Sequence, residues 1–202
     1  MADPQQLSQM LSSEDPRFGA LAALCDEFSP EERLAAIRSL TKPLMAKLYE
    51  RAAEQAPVSL AYLVPEGTPP TGSIWNGKNS LVAFSHFAKI FTPSGEPGLL
   101  WGRNAGSMEW LIGPGYFAAS VKSDAPGEFL IDYTRLPEKE PSEGWPRVSA
   151  NGSGFSFFVF HKMHDYLRPV GKNVTIGAAY EAETGKFKNQ YFVMARGEQL
   201  SL

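Results

Sequence analysis

The chain has 202 residues, of which 43% are hydrophobic, and a formal net charge of −3 at pH 7. This length and apolar content suit a single folded unit with a sizeable core. The small excess of acidic residues argues against nucleic acid or an anionic membrane as the main partner, because both require a basic face.

A single cysteine, Cys25, is present, which excludes an internal disulfide and a zinc site built from cysteines. Residues 1–6 lack the basic start and the apolar stretch of a secretory signal. No run approaches the ~20 apolar residues of a membrane-spanning helix. We therefore expect a cytoplasmic protein with no membrane span, no bound metal and no cofactor.

Residues 1–56 carry the signals of short amphipathic helices. Asp15 is suited to the N-cap position of a helix, and the proline that follows it is suited to the first helical turn. Ser29 and Glu32 have the spacing of a capping box, and Thr41 can cap a third helix. Because helices this short are marginal alone, we expect them to pack on the rest of the fold, or else to form a lid or a homodimer contact.

Residues 57–77 are rich in proline and glycine, which predicts a segment that connects the helices to the rest of the chain. After them, Asn79 and Ser80 could cap a further helix, since the apolar residues that follow have helical spacing. The same run also fits a strand. The apolar residues concerned are Leu81, Phe84, Ala88 and Phe91.

Residues 78–202 are predicted to form an antiparallel β-barrel. Turn signals recur regularly after Phe91, and β-branched and aromatic runs such as 155–160 lie between them. The runs 173–181 and 188–196 flank a Thr-Gly turn and predict a hairpin. No helical pattern interleaves the strands, so a parallel sheet is disfavoured. Closure of an up-and-down sheet into a barrel would remove its exposed edges.

The predicted fold class is therefore α+β, mainly β, with N-terminal helices followed by an up-and-down barrel. The alternative is a cone-shaped α+β barrel, in which a curved sheet wraps around helices. The two differ in where the helices lie, because a cone packs them inside its concave sheet and a closed barrel carries them outside.

Several short stretches resemble lipocalin-like, calycin-type proteins that carry a Gly-x-Trp-x-Gly motif. The matching residues are 73–77, where serine replaces the first glycine, and 165–170, Gly177, 191–192 and Arg196. The resemblance implies a ligand-holding barrel in which Arg196 packs over Trp75 or Trp101. It implies no particular reaction, because a fold does not fix a function.

Polar and aromatic side chains within the predicted strands are the candidate ligand-binding groups. They are Arg168, Arg196, Tyr116, Tyr133, Tyr180, Tyr191 and Trp101. An arginine inside an apolar barrel suits a carboxylate. Small residues in the strands are expected to leave room for the ligand. These small residues are Ala118, Ala119, Gly177, Ala178 and Ala179.

Other reactive residue types give weaker patterns. His161 and His164 lack further metal ligands at suitable spacing. His164 with Asp165 is one candidate acid–base couple, and Asp132 is expected to pair with an arginine. We expect the protein to bind a small apolar or amphipathic molecule, with a carboxylate as one option. The alternatives are an isomerase, cyclase or dehydratase that uses an acid–base pair, and an interaction module without a cavity.

Overall fold

The computed structural model describes residues 3–53, 56–81, 85–106, 109, 113–149 and 162–202. Its helices are α1 (Gln5–Ser12), α2 (Phe18–Glu27), α3 (Pro30–Ser39) and α4 (Lys42–Arg51), and a 3₁₀ turn follows at Leu60–Tyr62. Its strands are β1 (Ser73–Asn79), β2 (His86–Pro93), β3 (Leu100–Ala105), β4 (Phe117–Val121), β5 (Phe129–Asp132), β6 (Met163–Pro169), β7 (Val174–Glu181) and β8 (Phe187–Gly197).

Within these residues the strands form one closed barrel in sequence order, with β8 pairing back onto β1. Each neighbouring pair is antiparallel, which confirms the predicted fold class. The predicted C-terminal hairpin is the β7–β8 pair. Strand β1 begins inside the stretch 57–77 that the sequence assigns to a connection. The predicted strand at 155–160 lies outside the described residues.

The helical option after Asn79 is wrong for the part of it that is described, because His86–Pro93 is the strand β2. Its residues alternate between the two faces of the barrel wall. Phe91 packs in the barrel core, whereas Ala88 packs in a separate cluster on the outer face. Their three-residue separation fits a helix as well as a strand, and the pairing with β1 and β3 decides the conformation.

The helices lie outside the barrel, so the cone-shaped alternative is wrong. Their apolar faces pack on β7 and β8 through side chains such as Ile176 and Val193. The residues that alternate with these two, Gly177 and Phe192, face inwards. None of the helices in the described part of the chain is long and apolar enough to cross a membrane.

The helix starts follow the sequence signals only in part. Ser29 and Glu32 form the predicted capping box at the start of α3. Asp15 does not cap α2, which begins at Phe18, and forms an ion pair with Arg51 at 2.8 Å instead. Helix α1 was not predicted, and it buries two leucines against the other helices.

One end of the barrel is closed by the chain that precedes β1. Tyr62 stacks on Trp75 and Phe129, with ring centroids 5.5 and 5.9 Å away. The Trp75 indole donates a hydrogen bond to the Leu63 carbonyl at 3.1 Å, and Leu63 is fully buried. Arg196 donates to the Tyr62 carbonyl at 2.7 Å. We call this the closed end, and the other end of the barrel is the one where β1, β3, β5 and β7 terminate.

Three of the five small residues, Gly177, Ala118 and Ala178, do not leave the room that was expected, whereas Ala119 and Ala179 face inwards. A side chain at Gly177 would overlap the ring of Phe192, and one at Gly102 would overlap the ring of Phe117. Ala178 faces the helices and Ala118 alternates with the inward Phe117 and Ala119. The glycines therefore accommodate aromatic rings that fill this part of the interior.

Replacement of Gly177 by alanine tests this packing. The new methyl group would overlap Phe192 and lie 2.7 Å from Cδ2 of Leu167, so we expect a loss of about 1–3 kcal/mol in the free energy of unfolding. The matched control is Gly19→Ala in α2, where nothing lies within 4 Å and alanine favours the helix. Urea denaturation measures both, and equal stability of the two variants would contradict a filled interior at Gly177.

Candidate functional site

A cluster of polar side chains lies inside the barrel, away from its closed end. It consists of Lys89, Asn104, Tyr133 and Asp165, which we call the ionic network. Lys89, Tyr133 and Asp165 are each only 2% exposed. Charged groups removed from water to this extent are rare in proteins unless they are paired or functional.

Register places these residues on the inner face. Lys89 of β2 is opposite Asn104 of β3 in the ladder, and Asp165 of β6 is opposite Ile131 of β5. Tyr133 follows β5 directly, and its amide donates to the Met163 carbonyl at 3.2 Å. Because inward positions repeat every second residue in a strand, two pairs of neighbouring strands, β2–β3 and β5–β6, contribute to one site.

Hydrogen bonds join the four members of the ionic network to one another. Nζ of Lys89 lies 3.2 Å from Oδ2 of Asp165 and 3.0 Å from Oδ1 of Asn104, and it also contacts the Tyr133 hydroxyl. That hydroxyl donates to Asp165 at 3.2 Å. The Asn104 amide donates to the Gly115 carbonyl at 2.9 Å, which fixes its orientation.

Aromatic rings surround the Lys89 ammonium group. Its nitrogen lies 5.0–5.6 Å from the centroids of four rings, those of Phe87, Phe117, Tyr133 and Phe192. The negative faces of aromatic rings attract a cation at this distance. The rings also exclude water, which strengthens the electrostatic contacts inside the cluster.

Burial shifts the protonation equilibria of all three titratable members. It raises the pKa of Asp165 above its usual range and lowers the pKa of Lys89. The attraction between the two charges opposes both shifts. Burial, with the Asp165 charge beside it, raises the pKa of Tyr133 well above that of a free phenol. Tyr133 is therefore a protonated donor at neutral pH, and burial brings the pKa values of Lys89 and Asp165 closer together.

The structure does not gather the seven predicted site residues in one cavity. Tyr133 belongs to the ionic network, and Arg196 faces inwards at the closed end. The other five lie on the outer side of the barrel wall, and they are Arg168, Tyr116, Tyr180, Tyr191 and Trp101. Their positions alternate with inward residues, and the sequence alone does not show which of the two faces is the interior.

The outer residues have structural partners of their own. Arg168 forms an ion pair with Glu128 at 2.5 Å and lies over the Tyr49 ring of α4. The Tyr116 hydroxyl donates to a backbone carbonyl of the loop that covers β2 and β3. Trp101 lies 5.6 Å from the guanidinium carbon of Arg135.

The predicted contact of Arg196 with an indole is confirmed for Trp75. The guanidinium carbon lies 4.9 Å from the Trp75 ring centroid, and the two residues are opposite each other in the β1–β8 ladder. Trp75 is fully buried, whereas Arg196 is half-buried. The arginine donates to the carbonyls of Tyr62 and Lys172, so its role in the structure is to join the closing segment to the barrel.

The predicted acid–base couple of His164 and Asp165 is not formed, because each residue has another partner. His164 faces outwards and its Nε2 lies 3.3 Å from Oδ1 of Asp132. The expected partner of Asp132 was an arginine. Asp165, the neighbour of His164, points to the opposite face, so the two cannot act as the proposed couple. His161 lies outside the described residues, and the rest of the described chain holds no group of side chains suited to a metal ion.

Sequence reasoning missed Lys89 and Asn104 as site residues. The signal was present in Phe87-Ala88-Lys89-Ile90-Phe91, where a charged residue stands between two phenylalanines at alternate positions. In a strand, all three of those residues share one face. The helical interpretation of this run concealed the pattern.

No family model, no curated protein and no solved structure matches the chain.

Removal of the Lys89 charge tests whether Asp165 is ionised in the network. In Lys89→Met we expect the free energy of unfolding to fall by about 3–5 kcal/mol at neutral pH, because a buried carboxylate is left unpaired. Burial holds the pKa of Asp165 above its unfolded value, so this penalty is absent below the unfolded pKa and grows as the pH rises through the folded pKa. The variant should therefore approach wild-type stability in acid.

Urea denaturation at a series of pH values measures this loss. Lys122→Met is the matched control, because Lys122 pairs with the exposed Asp124 on the barrel surface, and it should cost less than about 1 kcal/mol. A loss in Lys89→Met that is the same in acid and at neutral pH would show that Asp165 carries no charge in the wild type.

Proposed function

We propose that the barrel binds a small, mostly apolar molecule whose neutral carbonyl or hydroxyl head group contacts the ionic network. The observation that carries this proposal is the burial of Lys89 and Asp165 at 3.2 Å among aromatic rings. Each buried ion costs several kcal/mol, and well-packed apolar side chains would fill the barrel with equal or greater stability. Perturbed, buried titratable groups of this kind concentrate at functional sites.

The chemistry of the network favours a neutral head group. Lys89 and Tyr133 supply hydrogen-bond donors, and Asp165 supplies an acceptor. Together the lysine and the aspartate carry no net charge. A carbonyl or hydroxyl group can exchange hydrogen bonds with them, whereas a ligand carboxylate would meet the charge of Asp165.

The arginines proposed from the sequence are less suited to hold a ligand. Arg168 is on the outer face and is bound by Glu128. Arg196 donates to two backbone carbonyls at the closed end. The proposed anchor is therefore Lys89 rather than either guanidinium group. The proposed ligand carries a neutral polar head group rather than a carboxylate.

Access to the network is proposed from the end opposite to the closed one. The stacked rings of Tyr62 and Trp75 and the buried Leu63 obstruct the closed end. The network lies nearer the other end, since Asn104 is next to the last residue of β3 and Tyr133 directly follows β5.

A distant relation to lipocalin-like proteins is part of the same proposal. The placement of Trp75 on the first strand under Arg196 from the last strand agrees with what the resemblance implies. The 3₁₀ turn before β1 that closes one end supports a ligand-binding cup in the same way.

A second candidate is an enzyme that moves a proton on a carbonyl compound, as an isomerase or dehydratase does. One observation favours it, because the Tyr133 hydroxyl lies 3.2 Å from Asp165 in a site that excludes water. Burial raises the pKa of both groups, so the phenol is kept as an acid and the carboxylate becomes a stronger base.

Calorimetric titration with cinnamyl alcohol tests the binding function. Its phenyl ring suits the aromatic surroundings of Lys89 and its hydroxyl suits the network, so we expect saturable binding. In Lys89→Met/Asp165→Asn, which removes both charges together, affinity should fall about tenfold, because a charged hydrogen bond of about 1.5–3 kcal/mol is lost. Lys122→Met is the control and should bind as the wild type does.

The outcomes separate the function classes. Cinnamate should bind less well than the alcohol, because of the Asp165 charge. Failure of cinnamyl alcohol, cinnamate and a fluorescent fatty-acid analogue to bind at micromolar concentrations would overturn the proposal in favour of an interaction module. Incorporation of solvent deuterium at the α-carbon of added benzylacetone by the wild type, and not by the double variant, would favour the enzyme.

A further inference from the structure

We propose that Lys89 forms an imine with an aldehyde bound in the barrel. Because this inference rests on the proposed function, it concerns the same site and names the chemical class that the site would hold covalently. It follows from three features of the ionic network. They are an enclosed amine, the carboxylate, phenol and amide that orient it, and the aromatic side chains around it.

The amine is held with its neighbours arranged for this chemistry. Asp165 and Asn104 fix the position of Nζ at 3.2 and 3.0 Å. The Tyr133 hydroxyl contacts the same nitrogen, so a carbonyl oxygen brought to Nζ would lie beside a phenol donor. A lysine desolvated in an apolar pocket is the usual nucleophile in imine-forming proteins.

The amine must lose its proton before it can attack. The nearest acceptor is Oδ2 of Asp165 at 3.2 Å. Burial lowers the pKa of Lys89 and raises the pKa of Asp165, so both shifts favour transfer of the proton from nitrogen to the carboxylate. The pair can thus present a neutral amine beside a carboxylic acid without exchange of a proton with solvent.

The reaction balances without an oxidant or reductant. The nitrogen lone pair forms a bond to the carbonyl carbon, and the carbonyl oxygen takes a proton from Tyr133. The nitrogen returns a proton to the network and gives a neutral carbinolamine. The carbinolamine hydroxyl then takes a proton from Asp165 and leaves as water, while the nitrogen lone pair forms the C=N bond. The products are the protonated imine, paired with the Asp165 carboxylate, and one water molecule, and exclusion of water from the site disfavours the reverse hydrolysis.

A surface lysine provides the comparison within the same chain. Lys122 forms an ion pair with Asp124 at 2.5 Å, and that hydrogen bond raises its pKa. Its nitrogen also lies over the Tyr166 ring on the outer face. Its amine stays protonated at neutral pH, so it should react slowly with an aldehyde.

The experiment is reductive trapping of the intact protein with cinnamaldehyde. Cyanoborohydride reduces an imine to a stable amine, and peptide mass spectrometry then locates the adduct. At neutral pH and limiting aldehyde we expect one adduct, on the peptide that contains Lys89, and little on the peptide that contains Lys122. Protein unfolded in urea should lose this preference, because the pKa difference between the two lysines depends on the fold.

Two variants keep the test independent of stability. Tyr133→Phe retains the ring but removes the acid, and the initial rate of trapping at Lys89 should fall about a hundredfold, which is the low end of what a positioned acid contributes. Lys122→Met should trap at the wild-type rate. Circular dichroism confirms that both variants are folded under the conditions of the assay.

Cinnamyl alcohol distinguishes failure of this inference from failure of the proposed function. Binding of the alcohol without an adduct at Lys89 would overturn the imine and leave the binding function standing. An adduct spread equally over Lys89 and Lys122 in folded protein would also overturn it. Absence of both binding and trapping would overturn the two proposals together.

Discussion

The pairing of Lys89 with Asp165 constrains the whole interior of the barrel. Two charges that are each 2% exposed require every remaining donor and acceptor around them to be satisfied. Asn104 forms a hydrogen bond with Lys89 and Tyr133 forms one with Asp165, and aromatic rings surround the lysine nitrogen. The strands that carry the four residues must therefore hold their register closely, since a slip by one position would place a charge on the outer wall.

Two apolar regions lie on either side of this polar centre, one at the closed end of the barrel and one on its outer wall. At the closed end, Trp75 joins the preceding segment to the last strand through contacts with Leu63 and Arg196. On the outer wall of β7 and β8, the four helices form a second core with its own buried leucines. In the β-ladders, Arg196, Trp75, Lys89 and Asn104 are successive cross-strand neighbours.

Sequence patterns predicted the elements better than the site. Turn residues at regular spacing marked the strands, and the capping box at Ser29 marked a helix start, because both signals depend on nearby residues. Prediction of the site also required knowing whether each side chain points into the barrel or out of it. Tyr180 and Tyr191 have the composition of ligand-binding residues, yet they pack beside the helices. Gly177 was expected to provide space, yet the ring of Phe192 fills it.

The sequence by itself determined that helices precede an antiparallel up-and-down sheet, that the chain ends in a hairpin, and that Arg196 contacts an indole. These follow from local periodicity, turn chemistry and one resemblance between short motifs. Only the tertiary structure decided that Lys89, Asn104, Tyr133 and Asp165 meet. They come from four strands or strand ends far apart in the chain, and closure of the barrel selects the face on which each lies. A buried charge pair is stable only in that enclosed arrangement, so no local pattern could specify it.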